Sequence, residues 1–247
     1  MQIRQPQMLD KNKIPAHKWR VVCDSMLGAL VNKLRMCGCD CVHTVFDQGG
    51  SRCIKLAIQE NRILLTGNKE YFKVAQVSQY LPPRNSYLVS SENPDEQLKE
   101  VLNHFGILVT QRDIFSRCQA CNGDEFAKVT KELMDDLVES FANMTRDMDY
   151  SKLSPTNSIN HDSAQDNRMN DYAPNEDRTW ILSTNSVIVD TCATKYQTRI
   201  QIDKVPVKSL THVQIFYICE RCGKIYWDGS RLERTFNGVL KDLIVRA

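Results

Sequence analysis

The sequence predicts an α/β protein, in which a parallel sheet sandwiched by helices is joined to a C-terminal zinc ribbon. Over its first hundred or so residues, short apolar runs alternate with amphipathic helical patterns, as in βαβ units of about 30 residues each. Two CxxC pairs, Cys118/Cys121 and Cys219/Cys222, stand far apart in the chain. Two such pairs can complete a tetrahedral four-sulfur zinc site. With 42% hydrophobic residues, the 247-residue chain can bury a core of this size.

The elements follow in order. Trp19–Cys23 is a short apolar run that predicts a buried strand, and the next apolar residues recur at helical spacing up to Leu34. Gly38 is placed to end this helix in a left-handed conformation. A second strand is predicted over 39–45, and the helix after it stops near Asn61.

The same alternation continues through a strand at 62–66, a helix starting near Asn68, a strand at 87–89 and a helix from 94 to Gly106. Parallel sheets bind ligands beyond the carboxyl ends of their strands. The residues to inspect are therefore those next to the strands: Asp24, Asp40, 66–68 and 90–95.

The ribbon is predicted from 117–126 and 205–247. One strand, 213–218, leads into the second cysteine pair and another, 224–227, leaves it, while 232–245 forms a closing helix. Four thiolates leave no open coordination position, so the zinc is predicted to be structural. The alternative is that these cysteines are redox-active or simply buried.

Two regions are predicted to lie outside these domains. Residues 1–18 are polar and basic and are interpreted as a linker from a larger parent chain. Residues 127–204 are interpreted as an insertion within the ribbon, made of an amphipathic helix that starts at Phe126, a disordered loop over 151–178 and a strand pair over 179–202.

The composition excludes several classes of protein. No apolar run approaches the roughly 18 residues that a membrane span needs, and the start does not resemble a secretion signal. Ten cysteines in so long and core-rich a chain favour a reducing compartment, the cytoplasm or nucleus, over secretion. Cys37, Cys39 and Cys41 leave a second metal site open as an alternative to buried thiols.

Several motifs then resemble one family. They are Asp24–Gly28, Leu34–Asp40, Arg62–Thr66, Glu96–Leu98, Arg117–Asn122 and Cys219–Ser230. In this order they resemble the Mut-seven C-terminal RNase family, whose members join a PIN-like nuclease domain to a zinc ribbon. The resemblance implies the C-terminal part of an animal 3′–5′ exoribonuclease of small-RNA silencing.

The resemblance also implies a catalytic edge. PIN-type nucleases hold Mg²⁺ or Mn²⁺ with carboxylates, and here these would be Asp24, Asp40 and Asp95. For the family acid near the start of the fourth helix, Glu92 and Asn93 are alternatives to Asp95. The family's next acid aligns with Asn68 and its arginine with Gly67, so the nuclease site is expected to be degenerate. Asp24 and Asn68 also have a plain alternative role as helix N-caps.

A retained substrate groove would use basic and aromatic residues. The RNA-binding candidates are Lys33, Arg35, Lys69, Lys73, Arg117, Lys224, Trp227 and Arg231, with Arg52, Arg221 and Tyr226 as further members. Aromatic rings can stack on unpaired bases. The alternatives are solvated surface for the basic residues and ribbon core for Trp227.

Three functions remain in view. The leading hypothesis is an RNA-binding accessory module that holds single-stranded RNA for the exonuclease domain of the same parent chain. The first alternative is an active metal-dependent ribonuclease. The second is a protein-docking module, in which the acidic insertion recruits a scaffold protein of a silencing complex. Ribonucleoprotein granules are included in the expected location.

Overall fold

The computed structural model describes residues 13–45, 51–77, 81, 85–150, 179–227 and 243–244. These residues divide into two compact units. The first unit holds the described residues up to Asp124 together with 179–180 and 243–244. The second unit holds 125–150 and 181–227.

The first unit is built on a parallel sheet. Its strands are β2 (Arg20–Cys23), β3 (Asp40–His43), β4 (Ile63–Thr66) and β5 (Ser86–Leu88), in the order β3-β2-β4-β5. The helices between and after them are α1 (Gly28–Met36), α2 (Ser51–Gln59), α3 (Lys69–Val77) and α4 (Pro94–Phe105). This confirms the predicted α/β class.

Alternate residues of β2 separate the two faces of this sheet. Val21 packs in one buried cluster with apolar residues of α1 and α4. Its neighbour Val22 packs in another with residues of α2 and α3. Because successive strand residues point to opposite faces, both faces must be covered, and helices lie on each.

Residues 13–18 were predicted to be a linker, but in the structure they are part of the first unit. Ile14–Pro15 forms strand β1, which pairs in parallel with β6 (Ile107–Leu108). A single 3₁₀ turn, Ala16–Lys18, follows, and Ala16 is fully buried. His17 Nδ1 lies 2.8 Å from Asp113 Oδ1, a carboxylate that is itself buried. The part of the predicted linker before residue 13 lies outside the described residues.

The second unit is a four-stranded sheet with helices against it. Its strands are β7 (Glu125–Thr130), β8 (Ile181–Ser183), β9 (Ile215–Cys219) and β10 (Ile225–Trp227), in the order β10-β9-β7-β8. The β7–β9 and β9–β10 pairs are antiparallel, and β7–β8 is parallel. The helices are α5 (Lys131–Tyr150) and α6 (Val207–His212).

Strand β7 corrects the expectation that a helix starts at Phe126. Phe126, Ala127 and Val129 are buried in a strand paired on both sides, with β8 and β9, and the helix begins only at Lys131. A short apolar stretch fits both periods, and here pairing on both edges decides in favour of a strand. The predicted boundary at 126 therefore falls inside a ribbon strand.

The predicted strand pair over 179–202 is also corrected. The structure has one three-residue strand, β8, and then only isolated bridges that join Ile188 to Ala193 and Ala193 to Arg199. The predicted loop over 151–178 lies outside the described residues. So does the predicted closing helix, apart from residues 243–244, of which Ile244 forms an isolated bridge with Val109.

Candidate metal centre and carboxylate edge

The two cysteine pairs adopt the same turn. In the first, Asn122 N donates to Cys118 O at 2.8 Å, and Cys118 N donates to Gly123 O at 2.7 Å. In the second, Gly223 N donates to Cys219 O at 2.8 Å, and Cys219 N donates to Lys224 O at 2.9 Å. Asn122 and Gly223 occupy corresponding positions, and both have φ of 70°.

The four cysteine sulfurs form one cluster. The Sγ atoms of Cys118, Cys121, Cys219 and Cys222 all lie within 4.8 Å of one another. A tetrahedral zinc site with Zn–S bonds of about 2.3 Å separates its sulfurs by about 3.8 Å. The donor set therefore fits a four-thiolate metal ion, whose chemistry would be structural because no coordination position is left for a reactant.

The remaining cysteines are thiols without such a role. All ten cysteines are free of disulfides. Among the described residues, Cys37, Cys39 and Cys41 do not belong to a metal-binding group. Burial raises the pKa of Cys37 to about 12 and raises that of Cys39 well above its ordinary value. These results support the reading of the three cysteines as buried core thiols.

Arg35 supports the first cysteine turn from within the core. It is only 6% exposed. Its Nη1 donates to Gln119 O at 2.7 Å and Ala120 O at 3.0 Å, and its Nε donates to Cys41 O at 2.9 Å. Nε and Nη1 of this buried side chain are thus engaged by backbone carbonyls, which gives Arg35 a structural role and speaks against the predicted contact with RNA.

Asp40 lies at the wrong edge of the sheet for catalysis with Asp24. It pairs with Arg20 at the amino end of β2, whereas Asp24 follows the carboxyl end of the same strand. A strand rises about 3.3 Å per residue, so roughly 13 Å of strand separates the two positions. The prediction that they share a site is therefore wrong.

Asp40 instead holds a partly buried charge network. It binds Arg62 through both carboxylate oxygens, at 2.8 and 3.2 Å, and accepts from Asn122 Nδ2 at 2.6 Å. Arg20 adds a contact at 3.2 Å. Burial by itself would raise the pKa of Asp40, but the hydrogen bonds from Arg62 and Asn122 and the charge of Arg62 lower it.

Asp24 does lie at the carboxyl edge, as predicted. Its side chain is nearly buried, at 6% exposure. Oδ1 accepts from Met26 N at 3.0 Å, as the N-cap of a 3₁₀ turn, and Oδ2 accepts from Thr66 Oγ1 and from Gly67 N. The carboxylate thus joins the ends of β2 and β4, and the helix-cap alternative describes one of its two oxygens.

Asn68 acts as a cap for α3. Its Oδ1 accepts hydrogen bonds from Glu70 N at 2.9 Å and Tyr71 N at 3.2 Å. The side-chain oxygen that could have coordinated a metal is therefore directed at the first turn of the helix. The plain alternative for this residue accounts for its geometry.

Asp95 is engaged by a lysine. It lies in the first turn of α4, where its N–H donates to the cap residue Asn93 at 2.8 Å. Its Oδ1 forms an ion pair with Lys33 Nζ. Lys33, one of the RNA-binding candidates, is thus engaged in an ion pair within the protein.

Sequence reasoning missed Glu100. This carboxylate accepts from Ser90 N, Ser90 Oγ and Ser91 N at 2.8–3.0 Å, and from Tyr87 Oη at 2.9 Å. Burial would raise the pKa of Glu100, but the hydrogen bonds outweigh it and lower the pKa to about 2. Glu100 falls on the polar stripe of a regular helix, so no sequence signal separates it from a solvated residue.

The other RNA-binding candidates have varied surroundings. Lys69 and Lys73 are exposed on α3, where Lys73 pairs with Glu70 at 2.8 Å. Arg117 donates to Asn122 O at 2.9 Å and lies 3.4 Å from Asp124.

On the ribbon strands, Lys224 Nζ lies 5.3 Å from the centre of the Tyr226 ring. Trp227 packs against the core of the second unit, 6.3 Å from the Phe216 ring, which agrees with its core alternative. Arg231 lies outside the described residues.

A parallel α/β sheet flanked by helices, together with a four-cysteine cluster on paired turns, defines an α/β protein that could carry a zinc ribbon. A family model described as the Mut7-C RNAse domain matches residues 19–152 and 185–238. The chain therefore belongs to the Mut7-C RNAse domain family.

A human protein named exonuclease mut-7 homolog is 34% identical to this chain over 237 residues. The alignment covers 90% of this chain and 26% of the human protein. The chain thus spans about a quarter of the length of this relative.

The family model matches part of the predicted insertion, 127–204. It includes 127–152 and 185–204, which were predicted to belong to an insertion, and of that predicted insertion it leaves 153–184 unmatched. Helix α5 therefore lies within the part of the chain that the family model matches. No helix in the described part of the chain has the length and hydropathy of a membrane span.

Proposed function

We propose that the chain is an RNA-binding, PIN-like module with one structural zinc and a degenerate nuclease site. One observation carries the proposal that the nuclease site is degenerate. At position 68, where the family resemblance calls for an acid, Asn68 Oδ1 accepts hydrogen bonds from the first turn of α3 as its cap. Among the described residues, the four cysteines are the only group of three or more ligand-type side chains that could hold a metal. Within the part of the chain that the structure describes, Asp24 therefore has no assembled set of carboxylates around it.

RNA is the proposed ligand because the family is one of RNase domains. Lys69 and Lys73 supply exposed positive charge on α3, the helix that begins directly after the edge at Asn68. Phosphate neutralisation by such side chains gives sequence-independent, salt-dependent binding. Tethered RNA would then be concentrated for a catalytic domain in the same chain.

The wider setting of the proposal comes from the relative and from the resemblance. The human relative is named an exonuclease and is about four times as long as the aligned part, so an exonuclease domain in the parent chain is proposed here too. The family resemblance supports a role in RNA silencing as part of this proposal. Ten free thiols suit a reducing compartment, the cytoplasm or nucleus, including ribonucleoprotein granules.

Binding is tested with zinc-loaded protein and a labelled single-stranded RNA at several salt concentrations. Affinity should fall as salt rises, and Lys69→Glu/Lys73→Glu should weaken binding about tenfold or more. The matched control is Lys13→Glu/Lys99→Glu, which reverses two exposed lysines elsewhere in the same unit. Absence of salt-sensitive binding by the wild type near physiological ionic strength would contradict the proposal.

A working ribonuclease is the second candidate, because Asp24 keeps its place at the carboxyl edge of the sheet. Incubation with RNA and Mn²⁺ separates the two. We expect little cleavage by the wild type and more by Asn68→Asp, since an aspartate can cap α3 equally well and adds a charged metal ligand. Robust wild-type cleavage that Asp24→Asn abolishes would favour the enzyme.

A protein partner is proposed for the acidic part of the chain. Glu132, Asp135, Asp136 and Glu139 are exposed on α5 and would repel phosphate. A basic scaffold protein of a silencing complex is the partner that this charge fits. Glu132→Lys/Asp136→Lys/Glu139→Lys, tested separately for RNA binding and for capture of candidate scaffold proteins, distinguishes the two roles: loss of capture with RNA binding unchanged supports the partner, and unchanged capture contradicts it.

A further inference from the structure

One short segment caps four successive carbonyls of the second cysteine turn. The donors are all in residues 194–201, which we call the clamp segment. The bonds run from Thr194 Oγ1 to Glu220 O at 2.7 Å, Thr198 Oγ1 to Arg221 O at 3.3 Å, Gln201 Nε2 to Cys222 O at 2.8 Å and Gln201 N to Gly223 O at 2.9 Å.

The fit between clamp segment and turn is close. A Cβ built on Gly223 would lie 2.0 Å from Arg199 O, so only glycine permits this approach. Thr194 is fully buried. The Glu220 side chain, also fully buried, accepts from Lys195 N at 3.2 Å and from Ser186 Oγ. A carboxylate is stable in such a place only with hydrogen-bond partners, and the clamp segment supplies one of them.

Capping the carbonyls has a consequence for the thiolates. Each peptide unit is planar, so a hydrogen bond that fixes its C=O also fixes the direction of the following N–H. Successive N–H groups of a turn form a concave site that favours anions, and metal-bound thiolates carry such charge. The clamp segment therefore holds the N–H groups of residues 221, 222 and 224 in one arrangement, while that of Gly223 donates to Cys219 O.

We propose that Thr194 and Gln201 are positioning residues for the metal centre. They keep the Cys219/Cys222 half of the centre in its metal-binding geometry and so slow the release of the ion. This proposal rests on the proposed function, in which the four cysteines hold zinc.

The test measures zinc release from the zinc-loaded full chain into excess chromophoric chelator, well below the unfolding temperature. Thr194→Val removes the donor at nearly constant volume and should release zinc about fivefold faster, the equivalent of one hydrogen bond. Thr194→Ser keeps the hydroxyl and should stay within about twofold of the wild type. Gln201→Glu should also speed release, because a carboxylate cannot donate to Cys222 O.

Thr145→Val is the matched control. Thr145 Oγ1 donates to Phe141 O at 3.1 Å on α5, so this variant removes a threonine–carbonyl hydrogen bond elsewhere in the same unit. Its release rate should equal that of the wild type. In Co²⁺-loaded protein, the visible absorption bands should shift in Thr194→Val and not in Thr145→Val or Thr194→Ser.

The outcomes distinguish failure of this proposal from failure of the proposed function on which it rests. A wild type that binds no metal overturns the zinc part of the proposed function and this inference with it. A wild type that holds one zinc, with wild-type release and spectra in Thr194→Val, overturns this inference alone. If Thr194→Val does not fold, Gln201→Glu decides: unchanged release contradicts the proposal, and faster release supports it.

Discussion

Asn122 Nδ2 donates a hydrogen bond to Asp40 Oδ1 at 2.6 Å, and Asn122 Oδ1 accepts one from Cys41 N at 3.0 Å. One side chain of the first cysteine turn thus bonds both to the side chain that starts β3 and to the next backbone N–H. Asp40, which the sequence suggested as a metal ligand, is the anchor of this turn on the sheet.

Asp40→Ala should destabilise the protein by about 3 kcal/mol, because it leaves the Arg62 guanidinium buried without its main partner. Chemical denaturation measures this free energy of unfolding. The control is Asp135→Ala, which removes a carboxylate that is 55% exposed and pairs with Lys131, and should cost at most about 0.5 kcal/mol. Equal stability of the two variants would contradict the anchoring role.

Removal of the metal should destabilise the fold. We expect one zinc per chain, and a fall in the melting temperature of about 10 °C or more on chelation, since metal binding free energy contributes to folding. Cys118→Ser should lose the zinc and show the same fall without chelator. Cys37→Ser changes a fully buried thiol outside the cluster and should keep its zinc.

An unchanged melting temperature after complete chelation would exclude a structural zinc. Restoration of the melting temperature by added zinc controls for damage caused by the chelator.

Gly223→Ala should be far more costly than Gly67→Ala. At Gly223, with φ of 70°, the new Cβ would lie 2.0 Å from a backbone oxygen, which cannot give way as a side chain can. At Gly67 the nearest atom would be Leu27 Cδ2 at 3.5 Å, an ordinary contact. We expect a loss of about 3 kcal/mol or more for Gly223→Ala and less than about 0.5 kcal/mol for Gly67→Ala, measured by denaturation.

Glu100 should contribute stability that depends on pH. Its folded-state pKa of about 2 lies below the ordinary value of 4.5. A depressed carboxyl pKa stabilises the folded state above the unfolded-state pKa, and this contribution is lost as pH falls from about 4.5 toward 2. Glu100→Gln should therefore cost on the order of 1–3 kcal/mol at pH 7, allowing for partial solvent screening.

The measurement is the difference in unfolding free energy between wild type and Glu100→Gln, because acid also protonates the cysteine cluster of both proteins if it holds a metal. That difference should shrink below pH 4.5. A difference that stays constant down to pH 2 would show that Glu100 acts by packing alone.

The parallel sheet, its order of strands and helices, and the cysteine cluster could be predicted because each depends on local pattern or ligand spacing. Strand β7 could not be predicted, because Phe126 and Val129 fit the period of a helix and that of a strand equally. Only the pairing with β8 and β9 decides in favour of the strand. Helix α6, strand β1 and the 3₁₀ turns are too short to carry a period.

In the candidate site, too, some residues could be placed from the sequence and others could not. Asp24 follows a strand end, so its place at the carboxyl edge follows from topology alone. Arg35 and Asp40 are charged residues beside the sheet, and whether such a residue faces solvent, RNA or a buried carbonyl depends on what lies across from it. Gln119, Ala120 and Asn122, more than eighty residues away, supply those partners.

By itself, then, the sequence determined the fold class and the four cysteines of the cluster, because periodicity and ligand spacing are local properties. The missing acid at position 68 is a prediction from the family resemblance. Tertiary structure alone decided that Asp40 and Arg35 serve the first cysteine turn and that residues 194–201 serve the second. A hydrogen bond needs two partners at one distance and angle, and residues far apart in the chain meet that condition only after folding.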